Sequence, residues 1–135
     1  VFVMASLRRP GDAVGLAATL QALETVVERC WRFGIEDYVL DPGIGRWVPE
    51  RTSEDDWELC RNFQSFLDFG RPVLAAVSRK TFIGELLGKP PEDRLAGTLA
   101  LTTMLVAAGA AVVRGHDVPE TADLLRVYAK MRQIG

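Results

Sequence analysis

The chain has 135 residues, 48% of them hydrophobic, and its 16 basic and 18 acidic residues leave a formal net charge of −2. This composition supports one globular domain, predicted to span residues 1–135, and the interspersed charges leave no basic stripe for nucleic-acid phosphates, which excludes a nucleic-acid partner. The longest apolar stretch, 95–113, contains threonines and glycines and lies between Arg94 and Arg114. It therefore predicts a helix and a strand rather than a membrane span.

Four short β-branched runs predict strands at 1–4, 37–40, 72–77 and 110–113. The first of them opens the chain without an initiator methionine, which suggests a fragment or a processed product. Between and after the strands, apolar residues recur at the spacing of one helix face. Three such stripes are predicted, namely Leu16, Leu20, Leu23, Val27 and Trp31; Trp57, Cys60, Phe63 and Leu67; and Leu124, Val127, Tyr128 and Met131.

The residues at the predicted helix boundaries agree with this division. Helix ends are predicted at three glycines that precede strands, Gly34, Gly70 and Gly109. Helix starts are predicted near three residues that act as side-chain caps or as a first-turn proline, Asp12, Ser53 and Pro119. The chain is therefore predicted to contain four tandem βα units.

Strands separated by helices form a parallel sheet, because each right-handed crossover returns the chain to the end of the sheet at which the previous strand began. Two architectures fit four such units: an open doubly wound sheet, and one half of a (β/α)₈ barrel. A half barrel would leave two open strand edges and an exposed inner face. That architecture predicts a missing half or a partner.

The two cysteines, Cys30 and Cys60, lie in helical patterns, and neither has a cysteine or histidine at metal-ligand spacing. We expect both to be buried free thiols and expect no metal ligands on this chain. Because free thiols persist in a reducing compartment, a cytoplasmic protein without a membrane partner is predicted.

Charged or titratable residues follow three successive predicted strands. They are Asp41 after the second strand, Ser78, Arg79 and Lys80 after the third, and Arg114, His116 and Asp117 after the fourth. Because the carboxyl ends of parallel strands meet at one face, where ligands bind in both candidate architectures, these residues predict one site.

Asp41 and Lys80 each have a structural and a functional interpretation. Asp41 precedes Pro42 and could simply form a turn, and Lys80 could be a solvated charge at a helix start. In a site, the Asp41 carboxylate would accept paired N–H bonds from a heterocycle, and Lys80 would donate to a ring carbonyl or nitrogen. Ser78 would share the side of Lys80 in an extended segment.

His116 is the only histidine, and a lone histidine is commonly structural. Here it shares a side with Arg114, with Gly115 between them, and a guanidinium with an imidazole suits phosphate or pyrophosphate oxygens. Asp117 would orient His116 or cap the next helix. Convergence with the other strand ends favours a site.

At these residues the sequence resembles dihydropteroate synthase, the pterin-binding (β/α)₈ barrel enzyme of folate biosynthesis. The resemblance rests on DPGIG at 41–45, PVLAAVSRKTFIGELLG at 72–88, DRLAGTLA at 93–100 and VVRGHDVPET at 112–121. It implies an α/β protein formed by the last four βα units, the C-terminal half of a TIM barrel. The partner implied is the missing N-terminal half or a second copy in a homodimer.

The resemblance also implies a reaction and residue roles. The family joins 6-hydroxymethyl-7,8-dihydropterin diphosphate to p-aminobenzoate, or a similar aryl amine, and releases pyrophosphate. Mg²⁺ would be bound mainly through the diphosphate and the missing half. The implied substrate-binding residues are Asp41 and Lys80 for the pterin, Ser78 near p-aminobenzoate, and Arg114, Gly115 and His116 for the diphosphate; the implied catalytic residues are Lys80, Arg114 and His116.

Two segments depart from the family pattern. Residues 4–6 read Met-Ala-Ser where the family has Met-His-Met, and residues 46–48 read Arg-Trp-Val where it has Phe-Gly-Lys. Gly115 stands where a bulkier apolar residue is common. These departures leave two alternatives open, a non-catalytic pterin- or phosphate-binding paralogue and a self-associating structural half barrel.

Overall fold

The computed structural model describes residues 1–133, so the last two residues of the predicted domain lie outside it. Strands and helices alternate along the chain, with two short 3₁₀ helices at Phe63–Phe69 and Pro91–Asp93. The strands are β1 (Phe2–Met4), β2 (Val39–Asp41), β3 (Leu74–Ala75) and β4 (Val112–Val113). The α-helices are α1 (Gly15–Arg32), α2 (Ser53–Arg61), α3 (Thr81–Leu87), α4 (Leu95–Ala107) and α5 (Val118–Arg132).

The strands lie side by side in chain order, and all pairs are parallel. β1 pairs with β2, β3 pairs with β4, and a parallel bridge between Leu40 and Val73 joins the two pairs. Sequential order with right-handed crossovers places every helix on one face, and each α-helix contacts the next one along the chain. A doubly wound sheet would instead reverse its strand order. The half-barrel prediction is confirmed.

The paired segments are shorter than the predicted strands. Only Leu74 and Ala75 pair within the predicted strand 72–77, although residues 73–77 are all buried. The run of apolar residues therefore indicated which residues are buried, but it did not indicate which of them form backbone hydrogen bonds to a neighbouring strand. β2 extends one residue beyond its predicted end, so Asp41 is the last residue of the strand rather than the first residue after it.

The core lies where β2 and β3 meet the surrounding helices. Leu40, Val73 and Phe66 have no exposed surface, and Phe66 makes an edge-to-face contact with Phe63 at 5.8 Å between ring centroids. Both cysteines are buried and free, as predicted. Burial raises the pKa of the Cys60 thiol to about 12.

The predicted helix stripes are only partly correct. The buried residues of α1 are Thr19, Ala22, Leu23, Val26 and Cys30, so Leu23 alone belongs to both sets, and Trp31 is 84% exposed. The smaller side chains let α1 approach its neighbours, and Leu16, Leu20 and Val27 pack beside this contact. Phe63 and Leu67 of the second stripe lie in a 3₁₀ helix that follows α2. α5 has no buried residue.

Two of the predicted caps are also wrong. The Asp12 carboxylate accepts bonds from the backbone N–H groups of residues 7–9, which closes the loop after β1 instead of capping α1. At α2 the cap is Thr52, which forms a reciprocal capping box with Asp55, and Ser53 is the first helical residue. Pro119 lies in the first turn of α5, as predicted.

None of the helices in residues 1–133 has the length and hydropathy needed to cross a bilayer.

Candidate functional site

The carboxyl ends of β3 and β4 border an open cleft of about 690 Å³. Five of the six predicted substrate-binding residues line it, namely Ser78, Lys80, Arg114, Gly115 and His116. The remaining lining residues are Ala76, Arg79, Thr81 and Pro91. The fold therefore brings together the residues that follow the third and fourth strands, at the face where ligands of parallel βα folds bind.

The sixth predicted residue, Asp41, lies beside this cleft and not in its lining. It is 9% exposed, and its Oδ1 accepts the Gly43 N–H at 2.8 Å, which closes the turn after β2. The turn interpretation therefore holds for one oxygen. Within residues 1–133 its Oδ2 has no hydrogen-bond partner, and the carboxylate favours the charged form of Lys80.

His116 is bound to the neighbouring strand end by Ser78. The Ser78 Oγ accepts the backbone N–H of His116 at 3.1 Å and lies 2.9 Å from its ring Nδ1. This double contact fixes the ring and leaves Nε2 without a partner among the described residues. The free nitrogen can bind a ligand in the cleft.

Arg79 holds the turn between Ser78 and Lys80 in an uncommon conformation. Its φ is +57°, a value that L residues adopt rarely. The Arg79 N–H donates to Thr98 Oγ1 at 3.0 Å, and its carbonyl accepts from Arg94 Nη1 at 2.9 Å. Bonds to α4 and its flanking residue therefore stabilise a strained turn at the site.

Arg94 reaches Arg79 because Gly84 of α3 has no side chain. A Cβ at Gly84 would lie 2.2 Å from the Arg94 guanidinium, which also donates through Nε to the Lys89 carbonyl at 2.9 Å. The guanidinium thus occupies the space that any other residue at position 84 would fill.

Asp117 performs neither of the two roles predicted for it. Its carboxylate receives two bonds from Arg79, Nη2 to Oδ1 at 2.6 Å and Nε to Oδ2 at 3.2 Å. It makes no side-chain cap to α5 and no hydrogen bond to the His116 ring. The bonds from Arg79 hold the pKa of Asp117 below its ordinary value. The carboxylate that was predicted to cap the helix or orient the histidine instead forms a bidentate ion pair with the Arg79 guanidinium.

Lys80 lies between groups of opposite charge. Burial and the nearby Arg114 lower its pKa, whereas Asp41 and Asp56 act in the opposite direction. Its Nζ lies 5.3 Å from the centroid of the Trp47 ring, within cation–π range. Arg114 itself is exposed, and its side chain makes no hydrogen bond to any residue in 1–133.

Sequence reasoning missed several residues that shape this site. Thr98 and Arg94 act through Arg79, and the charges of the buried pair Arg51 and Asp56 act on Lys80. Arg51 and Asp56 are five residues apart, on either side of the start of α2, so no helix or strand periodicity links them. The bond from Arg94 to the Arg79 carbonyl joins residues that are distant in the chain, and it leaves no local sequence pattern. The positive φ of Arg79 also had no signal, because the residue is not glycine.

The described residues do not fit a resident metal ion. No group of three or more His, Cys, Asp or Glu side chains in residues 1–133 could hold one. The cleft instead presents the charged side chains of Lys80 and Arg114 beside the His116 ring, and this lining suits phosphate oxygens.

Residues 11–116 match the model of a protein family described as pterin binding enzyme. The chain is 37% identical over 103 residues to the dihydropteroate synthase of Escherichia coli strain K12, covering 75% of this chain and 36% of that protein. Across several curated relatives the chain spans between 26% and 42% of their length.

Solved structures give the same family. A Coxiella burnetii dihydropteroate synthase in complex with pteroic acid superimposes with a TM-score of 0.85 and 30% identity, covering 99% of this chain and 53% of that one. The Xanthomonas albilineans dihydropteroate synthase with 4-aminobenzoic acid superimposes with a TM-score of 0.84 and 32% identity, covering 97% and 48%. This chain therefore corresponds to about half of each.

Proposed function

Because this chain belongs to the pterin-binding enzyme family, we propose that residues 1–135 form the C-terminal half of a dihydropteroate synthase. The reaction joins 6-hydroxymethyl-7,8-dihydropterin diphosphate to p-aminobenzoate, or a similar aryl amine, and releases pyrophosphate. The observation that carries the proposal is the convergence of Lys80, Arg114 and His116 on one cleft. Three cationic or hydrogen-bonding groups there suit a substrate with a diphosphate.

The pterin ring would bind between the second and third strand ends. The Asp41 carboxylate would accept the paired N–H groups of the aminopyrimidine edge, and Lys80 would donate to the ring carbonyl and nitrogen. The unpartnered Oδ2 of Asp41 and the nearby ammonium of Lys80 support this assignment. Ser78 would lie near the p-aminobenzoate.

The diphosphate would bind between Arg114 and the Nε2 of His116, with Gly115 allowing close backbone approach. The amine nitrogen attacks the methylene carbon of the pterin, the carbon–oxygen bond to the diphosphate breaks, and the amine loses a proton. Negative charge accumulates on the leaving diphosphate, so Arg114 and His116 would lower the barrier by stabilising it. Lys80 would hold the pterin in line for attack.

The site needs a second half barrel. β1 and β4 are edge strands, Phe2 on β1 is 59% exposed, and Val127 and Met131 on α5 are each 65% exposed. The partner would be an N-terminal half barrel, with a homodimer as the alternative. Any Mg²⁺ would arrive with the diphosphate and find its protein ligands outside residues 1–133. The buried free thiols support a cytoplasmic location.

Calorimetric titration with 6-hydroxymethylpterin diphosphate and Mg²⁺ tests this function, with the N-terminal half supplied. We expect the unaltered protein to bind the pterin diphosphate, and we expect Asp41→Asn and Lys80→Ala to abolish this binding. Arg114→Ala should weaken it by the part of the affinity that the diphosphate contributes. Lys130→Ala is the matched control, because Lys130 is an exposed lysine on α5.

Synthase turnover measured on the same samples separates the two functional classes. Binding without pyrophosphate release would favour a non-catalytic pterin-binding paralogue over the enzyme. A folded, reconstituted barrel that binds no pterin diphosphate would reject the proposed function.

A further inference from the structure

A buried ion pair lies near Lys80 but outside the lining of the cleft. Arg51 and Asp56 are each 1% exposed, and Arg51 Nε donates to Asp56 Oδ1 at 2.9 Å. The same oxygen accepts the Gly45 N–H at 2.8 Å. One carboxylate oxygen therefore joins the start of α2 to the loop that follows β2.

Gly45 is the residue through which this pair reaches Lys80. A Cβ at Gly45 would lie 2.6 Å from Lys80 Nζ, and its φ of +129° is unfavourable for residues with a side chain. The backbone of Gly45 therefore forms a wall against the ammonium group. Because Asp56 fixes the Gly45 N–H, it also fixes the position of that wall.

The pair also acts on Lys80 through charge. Asp56 favours the protonated ammonium and Arg51 opposes it; Arg114 opposes it from the end of β4, and Asp41 favours it from the end of β2. Because Asp56 and Arg51 act on the ammonium in opposite senses, removal of either member of the pair changes the balance in a known direction.

Stability alone does not account for the pair, because a buried ion pair contributes little compared with apolar residues of the same volume. Arg51 Nη2 is buried without a hydrogen-bond partner in the described residues, which adds a further cost. Burial also raises the pKa of Asp56, against the bonds from Gly45 and Arg51.

We propose that Asp56 and Arg51 are positioning residues that fix the position of Lys80 through Gly45 and act directly on its charge. The inference rests on the proposed function only in taking Lys80 as the pterin-binding group. It adds two residues that lie outside the cleft and outside every predicted site set.

The direct test is a pH titration of the full chain labelled with ¹³Cε-lysine and followed by NMR. The chain has three lysines, Lys80, Lys89 and Lys130, and Lys80→Met identifies the relevant signal. We expect Asp56→Asn to lower the pKa of Lys80 further and Arg51→Met to raise it. Asp55→Asn, the adjacent carboxylate of the capping box, is the matched control and should leave the signal in place.

Opposite shifts distinguish this role from a general one, because loosening of the fold would expose Lys80 and move its pKa upward in both variants. Shifts in the same direction, or no shift in either variant, would overturn the proposal. If Asp56→Asn does not fold, an ordinary Lys80 pKa in the unaltered chain, or no rise in Arg51→Met, would overturn it equally.

A second arm measures synthase activity in the complete barrel. Misplacement of Lys80 in Asp56→Asn should reduce kcat/KM by about 10- to 100-fold, mainly through KM for the pterin substrate. If the unaltered barrel is inactive, the proposed function fails while the NMR titration still decides the role of Asp56. An active barrel with unchanged kinetics in Asp56→Asn would overturn the positioning role alone.

Discussion

The third and fourth βα units contribute to the same cleft but are held in the molecule by different forces. In the third unit, residues 73–77 are buried, and Phe82 and Ile83 of α3 are each 1% exposed. In the fourth unit, Val112 and Val113 are only half buried, and α5 has no buried residue. The segments that flank Lys80 are therefore packed in the core, whereas the segments that flank Arg114 and His116 are only lightly packed.

Polar bonds at the cleft supply much of what the fourth unit lacks in apolar packing. Ser78 binds His116, Arg79 binds Asp117, and the Ala75 carbonyl accepts the Arg114 N–H at 3.0 Å. The bonds that shape this side of the cleft are thus the bonds that attach the fourth unit to the third. In this half barrel, site geometry and local stability depend on the same contacts.

The largest expected effect comes from deleting a core side chain in the third unit. Phe82 is buried and makes an edge-to-face contact with Trp57 at 4.7 Å, so Phe82→Ala should cost about 3–5 kcal/mol of unfolding free energy. Met131→Ala on α5 should change it by less than about 0.5 kcal/mol. Urea denaturation of both variants measures their unfolding free energies. Equal losses would contradict the inferred difference in packing between the third and fourth units.

A smaller and more local effect is expected from Asp117→Asn. Loss of the ion pair with Arg79 should raise hydrogen exchange severalfold across residues 118–132 while β2 and β3 keep their protection. Hydrogen exchange with mass spectrometry measures this by segment. Uniform deprotection of the whole chain would mean that the two units open together.

Thr52→Ala provides a stability loss outside both units. Removing this cap of α2 should cost about 1 kcal/mol at neutral pH without changing exchange in α5. Bonds from Thr52 lower the pKa of Asp55, so the carboxylate contributes stability above its ordinary pKa of 3.8 and loses it as pH falls through the lowered folded value. The difference from the unaltered chain should therefore shrink in acid.

The smallest effect is expected from Arg126→Ala. Its pair with Asp123 on α5 is exposed on both sides, and such pairs contribute little. Denaturation should show a change within about 0.5 kcal/mol. A larger loss would mean that α5 depends on its surface charges more than its packing suggests.

The sequence was informative where a local pattern has one physical cause. Apolar runs separated by helical stripes predicted four parallel strands, and charge at the strand ends predicted the cleft that Lys80 and His116 line. Boundaries of the ladders were less predictable, because buried residues need not pair. The face of α1 was also misjudged, since packing selected small side chains and left Trp31 exposed.

Long-range side-chain bonds were beyond the sequence for a different reason. Asp117 had two plausible local partners, and only the fold brings it to Arg79, 38 residues earlier in the chain. Arg51 and Asp56 likewise lie on a loop and a helix whose approach to Gly45 depends on the whole second unit. Such partners are chosen by tertiary structure.

The contact between Gly84 and Arg94 has a consequence for attempts to make this protein more heat-resistant. Glycine inside a helix is normally a good candidate for replacement by alanine, which restricts the unfolded chain and favours the helix. At Gly84 the added methyl would displace the guanidinium that supports the Arg79 carbonyl. A substitution that helix propensity alone would rank as safe would therefore disturb the turn on which Lys80 depends.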